Sequence, residues 1–304
     1  MKIKNRFSSL SQANCYKEYR GPCRYLNKTN GKHGTYDTIY NDYYSRSNIN
    51  DEILKKKHIL FFGDSYVFGH GVPRGHTISD HFEEILNNDE YCVINLGIPG
   101  SGVHYATVRL QQWCNSFGNQ IDSIYFGISG LSRRQFWFLF PYDENEFLHN
   151  VYSNDNNFRE YQFMLSHFHD SITVKEGKSI LKPVHKGYQS IVTSKVNSVA
   201  KFDASLQAIK TLGLLYNFNI FSFFTINDLL TENERTIIKH NIETSNTEHQ
   251  QFIFHSKQAP WTGRKDFLID PPIDNHWNSK GCKHVANHIY LETKHWYKNK
   301  EKNV

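Results

Sequence analysis

A chain of 304 residues can bury one substantial core, and we expect one large α/β domain rather than two small ones. Its composition, 38% hydrophobic and 15% aromatic, is typical of a globular protein, and no apolar run approaches the ~18 residues of a membrane-spanning helix. The net charge of +5 is spread along the chain without the aromatic interleaving that accompanies nucleic-acid binding. We therefore predict no membrane segment and no nucleic-acid partner.

The amino terminus and the cysteines indicate the compartment. Residues 1–20 are polar and charged and contain no apolar stretch before a small-residue cleavage site, so no secretion signal is expected. The five scattered cysteines are typical of free thiols in a reducing compartment. His284 and His288 are spaced i, i+4, but a His-Glu-x-x-His pattern is lacking. We predict a cytoplasmic protein with no metal and no cofactor.

Residues 1–52 show neither helical nor strand periodicity, and they are rich in tyrosine, asparagine, glycine and serine. We interpret this segment as an irregular amino-terminal arm or lid that lies on the body of the protein. The rest of the chain, 53–304, is expected to form the α/β domain.

From residue 58 onward, strand and helix patterns alternate, which is typical of a parallel sheet covered by helices. The predicted strands are 58–62, 91–96, 123–128 and 219–224. The predicted helices are 77–88, a helix from the turn 97–102 to about 113, 195–216, and a last one from 278 or 279 towards 295.

The alternation stops between about 131 and 190, where an aromatic run at 136–140 precedes a polar, asparagine-rich stretch. We predict an insertion at the loop edge of the sheet, with the aromatic run packed inside it and a helical stretch near 158–168. Residues 240–266 are polar and are predicted to be loop.

The most informative segment is 58–71, an apolar run that ends abruptly in Gly-Asp-Ser65 and continues with glycines. A buried strand at 58–62 places Ser65 at its carboxyl end, the edge at which open parallel sheets bind ligands. A serine there meets substrate while the strand behind it stays rigid. Because many strand-ending turns contain these residue types, the other segments decide whether this one is catalytic.

A base and a carboxylate lie far downstream, in Asp274-Asn-His276. Serine is a weak nucleophile, and imidazole is the side chain best suited to take and return its proton near neutral pH. We therefore predict that His276 is the base for Ser65 and that Asp274 orients the imidazole. Asp270 is a second nearby carboxylate and stays open as the alternative to Asp274.

With these segments the chain resembles the SGNH, or GDSL, hydrolase superfamily over residues 58–130 and 268–295. The turn ending at Ser65 matches the nucleophile block. The run from Asn95 to Gly100 matches the second block, with Gly100 in the oxyanion-donor position. The resemblance implies a flavodoxin-like three-layer sandwich around a central parallel sheet, with the backbone amides of Ser65 and Gly100 stabilising the oxyanion.

Two further blocks bear on the resemblance. The spacing of Asp274-x-His276-Trp-Asn is similar to that of relatives that modify O-acetyl groups on polysaccharides. The third block departs from the family pattern, because Ser129 stands where an asparagine side chain usually donates to the oxyanion. Ser129 could donate through its hydroxyl, or Arg133 or Arg134 could approach the substrate instead.

Residues and resemblance together predict a serine ester hydrolase that forms an acyl-enzyme on Ser65 and releases it to water. The resemblance alone implies the substrate class, a small acyl ester, expected to be acetyl on a carbohydrate. Two alternatives stay open: an O-acyltransferase with the same triad, and a catalytically impaired scaffold with a binding or structural role. The sequence does not indicate the oligomeric state.

Overall fold

The structure is a computed structural model that describes residues 22–27, 32–37, 45–98, 102–128, 134–141, 150–152, 158–165, 195–225, 236–238, 240, 250–252, 264–270 and 274–301. The strands, in chain order, are β1 (Pro22–Asn27), β2 (Lys32–Asp37), β3 (Lys57–Phe62), β4 (Tyr91–Asn95), β5 (Ile121–Ile128), β6 (Arg134–Pro141), β7 (Asn150–Tyr152), β8 (Phe158–Leu165), β9 (Asn219–Phe224), β10 (Gln250–Phe252), β11 (Leu268–Asp270) and β12 (Asp274–Trp277). The α-helices are α1 (Ser65–Phe68), α2 (Ile78–Leu86), α3 (Val103–Phe117), α4 (Lys195–Tyr216) and α5 (Ser279–Glu301), and short 3-10 turns occupy Ile53–Lys55, Gly118–Gln120 and Lys265–Phe267.

A five-stranded sheet forms the centre of the molecule, in the order β10-β9-β5-β3-β4. All four neighbouring pairs are parallel. Counted along the chain, this is the 2-1-3-4-5 order of flavodoxin-like folds, in which the strand order reverses between β3 and β5. The predicted α/β class and flavodoxin-like topology are therefore confirmed, and the reversal point marks the place where such sheets bind ligands.

The central strands are apolar on both faces because helices cover both sides of the sheet. In β3, Ile59 and Phe61 contribute to one buried cluster and Leu60 and Phe62 to the other. One cluster includes residues of α3 and α4, among them Leu110, Trp113, Phe202 and Leu206. The opposite cluster includes residues of α2 and α5, among them Ile78, Phe82, Val285 and Ile289. Helices, sheet and helices thus form three layers, as the resemblance implied.

The predicted elements of the central sheet agree with the structure to within a few residues, but two predictions around it are wrong. Residues 158–165 form strand β8 rather than a helix, in a separate antiparallel sheet of order β6-β8-β7. The aromatic run 136–140 lies in β6, which has high strand propensity and takes β8 as its pairing partner over eight residues. Residues 250–252, predicted to be loop, form the edge strand β10.

Several further observations bear on the sequence predictions. Strands β1 and β2 form an antiparallel hairpin within the segment interpreted as an irregular arm. Cys92, Cys114 and Cys282 are buried free thiols, and burial raises the pKa of each to about 12. None of the helices in the described part of the chain has the length and apolar character needed to cross a membrane. The division at residues 52 and 53 stays a prediction.

Candidate active site

The turn after β3 presents Ser65 at the carboxyl end of this strand. Asp64 is the N-cap of α1, and its carboxylate accepts a hydrogen bond from the backbone N–H of Tyr66 at 3.0 Å. The helix ends after one turn at Gly69, whose φ of +79° lies in the left-handed region that favours glycine. Its N–H donates to the carbonyl oxygen of Ser65 at 3.1 Å. The turn is therefore closed on itself, and Ser65 occupies its first position.

His276 meets this serine from the other end of the sequence. It lies in β12, which pairs with β11 in an antiparallel hairpin before α5. Its Nε2 is 2.8 Å from Oγ of Ser65, a distance at which the hydroxyl donates a hydrogen bond to an unprotonated ring nitrogen. The structure therefore brings together the predicted nucleophile and the predicted base, 211 positions apart in the sequence.

The residues that follow His276 hold the hairpin in place. Trp277 is buried and meets the Tyr66 ring edge-to-face, with ring centroids 4.9 Å apart. The Asn278 amide donates to the carbonyl oxygens of Asp266 and Leu268, at 3.0 and 2.9 Å. The side-chain oxygen of Asn278 accepts from the N–H of Gly281, at the start of α5. The His-Trp-Asn part of the motif thus contains the predicted base and two side chains that hold its strand in place.

Tyr66 connects the nucleophile turn directly to the histidine strand. Its hydroxyl donates to the carbonyl oxygen of Asn275 at 3.0 Å, and its ring lies 4.8 Å from the ring of His276. The ring of His70, at the end of the same turn, also lies beside the ring of His276, with the ring centroids 4.6 Å apart. The imidazole therefore packs against two rings from the segment that carries Ser65.

The second block packs against the nucleophile helix through Asn95 and Gly97. The Asn95 amide donates to the carbonyl oxygen of Val67 at 2.9 Å, and its side-chain oxygen accepts from the N–H of Gly97 at 3.0 Å. A Cβ at Gly97 would come within 2.5 Å of the backbone nitrogen of Phe68, so only glycine permits this approach. This end of β4 and the nucleophile turn consequently form one packed unit.

The remaining candidates divide into two groups. Gly100, Ser129 and Arg133 lie outside the described residues. Asp270 and Asp274 are described in backbone only, as register partners in the β11–β12 hairpin. The oxyanion donors and the choice of carboxylate therefore stay predictions. The same holds for Arg134, which is described only as the first residue of β6.

The sequence did not indicate the residues that hold Ser65 and His276, the dyad, in place. Tyr66 follows Ser65 directly, but nothing in the sequence shows that it contacts the residue before His276. Arg46 is buried and donates three hydrogen bonds to the turn after α1, although it belongs to the segment interpreted as an irregular arm. An isolated arginine in polar sequence carries no signal that distinguishes such a contact from a surface charge.

A metal centre has no ligand set among the residues described. In that part of the chain, histidine, cysteine, aspartate and glutamate nowhere form a group of three that could hold an ion. The rings of His284 and His288 lie 4.4 Å apart on α5 as a pair. The contact between Ser65 and His276 places a serine hydroxyl beside an imidazole, the pairing used in nucleophilic catalysis.

Comparison with known proteins gives similarity to solved structures only, since no family model and no curated protein matches the chain. TesA is 8% identical over 78% of this chain and 98% of its own, with a TM-score of 0.47. The psychrotrophic esterase EstA from Pseudoalteromonas sp. is 12% identical over 80% and 100%, with a TM-score of 0.46. The acetylxylan esterase Axe2 from Geobacillus stearothermophilus is 13% identical over 78% and 93%, with a TM-score of 0.43.

Two of these three proteins are named as esterases. At these identities and scores, the function of this chain has to be inferred from its own site.

Proposed function

We propose that this chain is a serine ester hydrolase of the SGNH type, with Ser65 as nucleophile and His276 as base. The observation that carries the proposal is the 2.8 Å contact between Oγ of Ser65 and Nε2 of His276. It lies at the carboxyl end of β3, beside the point at which the strand order of the sheet reverses. Nucleophile and base within hydrogen-bond reach at a ligand-binding edge are the parts that acyl transfer requires.

The proposed reaction has two stages that use the same imidazole. Oγ of Ser65 attacks the ester carbonyl carbon as its proton moves to Nε2 of His276, and the C–O bond to the alcohol then breaks. The imidazolium returns the proton to the departing alcohol, which leaves the acyl group on Ser65. His276 next takes a proton from water as the water oxygen attacks the acyl carbon. The bond between that carbon and Oγ of Ser65 then breaks, the imidazolium returns the proton to Oγ, and the carboxylic acid leaves with Ser65 regenerated.

Asp274 is the proposed orienting carboxylate, because it begins the strand on which His276 lies. A carboxylate on Nδ1 of the imidazole fixes the tautomer in which Nε2 can accept the serine proton, and it stabilises the imidazolium. Asp270 stays the alternative, since the register of the hairpin places it directly across from Asp274.

The backbone amides of Ser65 and Gly100 are the proposed oxyanion donors, with the Ser129 hydroxyl as a third. Ser65 occupies the first position of α1, where a backbone N–H has no carbonyl partner within its own helix. Each preorganised donor typically contributes about 3 kcal/mol to transition-state stabilisation.

The proposed substrate is a small acyl ester, with acetyl on a carbohydrate as the first candidate. The resemblance of the Asp274-x-His276-Trp-Asn motif to enzymes that modify polysaccharide O-acetyl groups supports this class. Trp277 does not contribute a sugar-stacking surface, because it is 3% exposed and packs against Tyr66. Contacts to a carbohydrate would therefore come from other residues around the site.

Hydrolysis of 4-nitrophenyl acetate tests the proposal. Wild type, Ser65→Ala and the control Ser123→Ala are compared, each after a check of folding by circular dichroism and thermal unfolding. Ser123 is a suitable control because it is also a buried serine of the central sheet, but its hydroxyl contacts Tyr297 instead of a site residue. We expect wild type and Ser123→Ala to turn over and Ser65→Ala to fall to the buffer rate.

The same experiment separates the alternatives. If wild type does not exceed the buffer rate and a serine-directed phosphonate leaves Ser65 unlabelled, the impaired-scaffold hypothesis replaces the hydrolase proposal. If wild type releases nitrophenol faster when an acceptor sugar is added, and acetylated sugar accumulates, the enzyme is an O-acyltransferase with the same dyad. Active wild type with product acetate alone supports hydrolysis.

A further inference from the structure

Three buried residues, Ser45, Arg46 and Ser47, lie against the turn that carries Ser65 and against strand β4. They precede the domain assigned from the sequence. They have no regular secondary structure, yet their exposed fractions are only 0, 3 and 9%. Burying a guanidinium is costly unless hydrogen bonds replace its water. We call these three residues the 45–47 strap. Their hydrogen bonds therefore indicate what the segment does.

The Arg46 guanidinium binds carbonyl groups at the end of the nucleophile turn, residues 64–72. Nη1 donates to the carbonyl oxygens of Phe68 and Gly69, at 2.8 and 2.6 Å, and Nη2 donates to that of Val72, at 2.9 Å. The guanidinium also lies over the Phe68 ring, 4.7 Å from its centroid. The planar fork of arginine thus supplies donors to the carbonyl group of the last residue of α1 and to two carbonyl groups just beyond the helix.

The two serines bind the outer edge of β4, the strand at one end of the sheet. Oγ of Ser45 donates to the carbonyl oxygen of Asn95 at 2.7 Å, and Oγ of Ser47 accepts from the backbone N–H of Asn95 at 2.8 Å. The hydroxyl of Ser47 in turn donates to the carbonyl oxygen of Val93 at 3.3 Å. The strap therefore pairs with the strand end from which the second block, and the predicted donor Gly100, continues.

We propose that the 45–47 strap is a positioning device for catalysis, and that Arg46 is its main positioning residue. The turn that Arg46 binds is the one whose Gly69 and His70 amides donate to the carbonyl oxygen of Ser65. One short segment thereby fixes the nucleophile turn and the start of the oxyanion block relative to each other. The inference rests on the proposed function, since it assumes that Ser65 is the nucleophile.

Loss of this support should act on turnover more than on substrate binding. A shift of about 1 Å in reacting groups can cost ~10²-fold in rate, whereas the contacts that bind the substrate need not change. We expect kcat of Arg46→Met to fall ~10- to 100-fold while KM changes less than about threefold. Arg46→Lys should recover part of the loss, because an ammonium keeps the charge and some of the donors but not the fork.

The experiment compares wild type, Arg46→Met, Arg46→Lys and the control Lys210→Met with 4-nitrophenyl acetate and a fluorophosphonate probe. Lys210 is a cation of similar burial, 5% exposed, on α4. We expect slower turnover and slower Ser65 labelling in both Arg46 variants, in the order Met below Lys, and wild-type values in folded Lys210→Met. Folded Arg46 variants with wild-type kcat and labelling rate would overturn the inference.

Hydrogen exchange keeps the result decisive in two other situations. If Arg46→Met does not fold, Arg46→Lys alone decides, through its kcat and through the exchange of amides in 66–72 relative to those of α5. If wild type is neither active nor labelled, the proposed function fails by itself. Faster exchange confined to 66–72 in Arg46→Lys would then still support a strap on this turn, and unchanged exchange would refute it.

Discussion

Two histidines near opposite ends of strand β3 show how the same side chain takes two roles. His58, near the start of the strand, is fully buried, with its ring 5.8 and 5.4 Å from the rings of Trp113 and Phe117. Its Nδ1 accepts from the indole N–H of Trp113 at 3.1 Å, and its Nε2–H donates to the carbonyl oxygen of Leu54 at 3.2 Å. Beyond the other end, Nε2 of His276 faces Ser65.

The difference teaches that partners and burial, and not residue type, decide which histidine can do chemistry. Both ring nitrogens of His58 have structural partners, and burial lowers its pKa from 6.5 to about 4, so the ring is neutral at physiological pH. His276 is only partly buried, and its Nε2 meets a hydroxyl. His58 is thus a packing residue with a fixed tautomer, whereas His276 is placed to exchange a proton.

Removal of His276 should have the largest effect on activity. His276→Ala is expected to lower kcat with 4-nitrophenyl acetate by roughly 10⁴-fold, because Ser65 loses its proton acceptor. His58→Phe should keep kcat within about twofold at pH 7.5, since the ring lies at the other end of the strand. Steady-state kinetics on both folded variants checks this, and similar losses in the two would remove the distinction between the histidines.

Loss of the orienting carboxylate should have the next largest effect on activity. Asp274→Asn is expected to lower kcat by about 10²- to 10⁴-fold, because an amide no longer holds the tautomer that accepts the serine proton. Asp270→Asn is the matched variant, being the register partner of Asp274 in the hairpin. We expect it to stay within about threefold of wild type. The reverse pattern would transfer the orienting role to Asp270.

The pH dependence of the free energy of unfolding tests the packing role of His58. Because the folded-state pKa of His58 lies below its unfolded value of 6.5, its stabilisation is complete above pH 6.5 and is lost as pH falls towards 4. The shift corresponds to about 3 kcal/mol in the free energy of unfolding. Urea unfolding of wild type and His58→Phe should show their difference shrinking by roughly this amount from pH 7.5 to pH 4. A constant difference would show that His58 does not titrate in this way.

The smallest effect is expected at Tyr66. Tyr66→Phe removes one hydroxyl, which donates to the carbonyl oxygen of Asn275, but keeps the ring that packs on His276 and Trp277. We expect a loss of about 1 kcal/mol in stability and a three- to tenfold fall in kcat. Kinetics and thermal unfolding measure both. A wild-type kcat would mean that ring packing alone positions the imidazole.

Much of the central sheet could be predicted because its signals are local. The apolar runs of β3, β4, β5 and β9 have the length and composition of strands buried on both faces. The Gly-Asp-Ser turn places Ser65 at a strand end by the same local logic. Strand β8 was wrongly predicted because its pairing with β6, a non-local contact, overrides its helix-like spacing.

The candidate site was only partly predictable for the same reason. Ser65 and His276 belong to motifs with recognisable chemistry, so their pairing could be expected although 211 positions separate them. The 45–47 strap and Tyr66 act through contacts to backbone carbonyls, which place no demand on the sequence of the partner. Backbone contacts of this kind become visible only when the fold brings the segments together.

Covalent labelling tests the central claim most directly, namely that His276 activates Ser65. Wild type, His276→Ala and Ser65→Ala are treated with a fluorophosphonate at pH 7.5, and the adduct is located by peptide mass spectrometry. Our account predicts a single adduct on Ser65 in wild type, none on this peptide in Ser65→Ala, and labelling at least ~10³-fold slower in His276→Ala. An unlabelled wild type, or equal rates in wild type and His276→Ala, would contradict it.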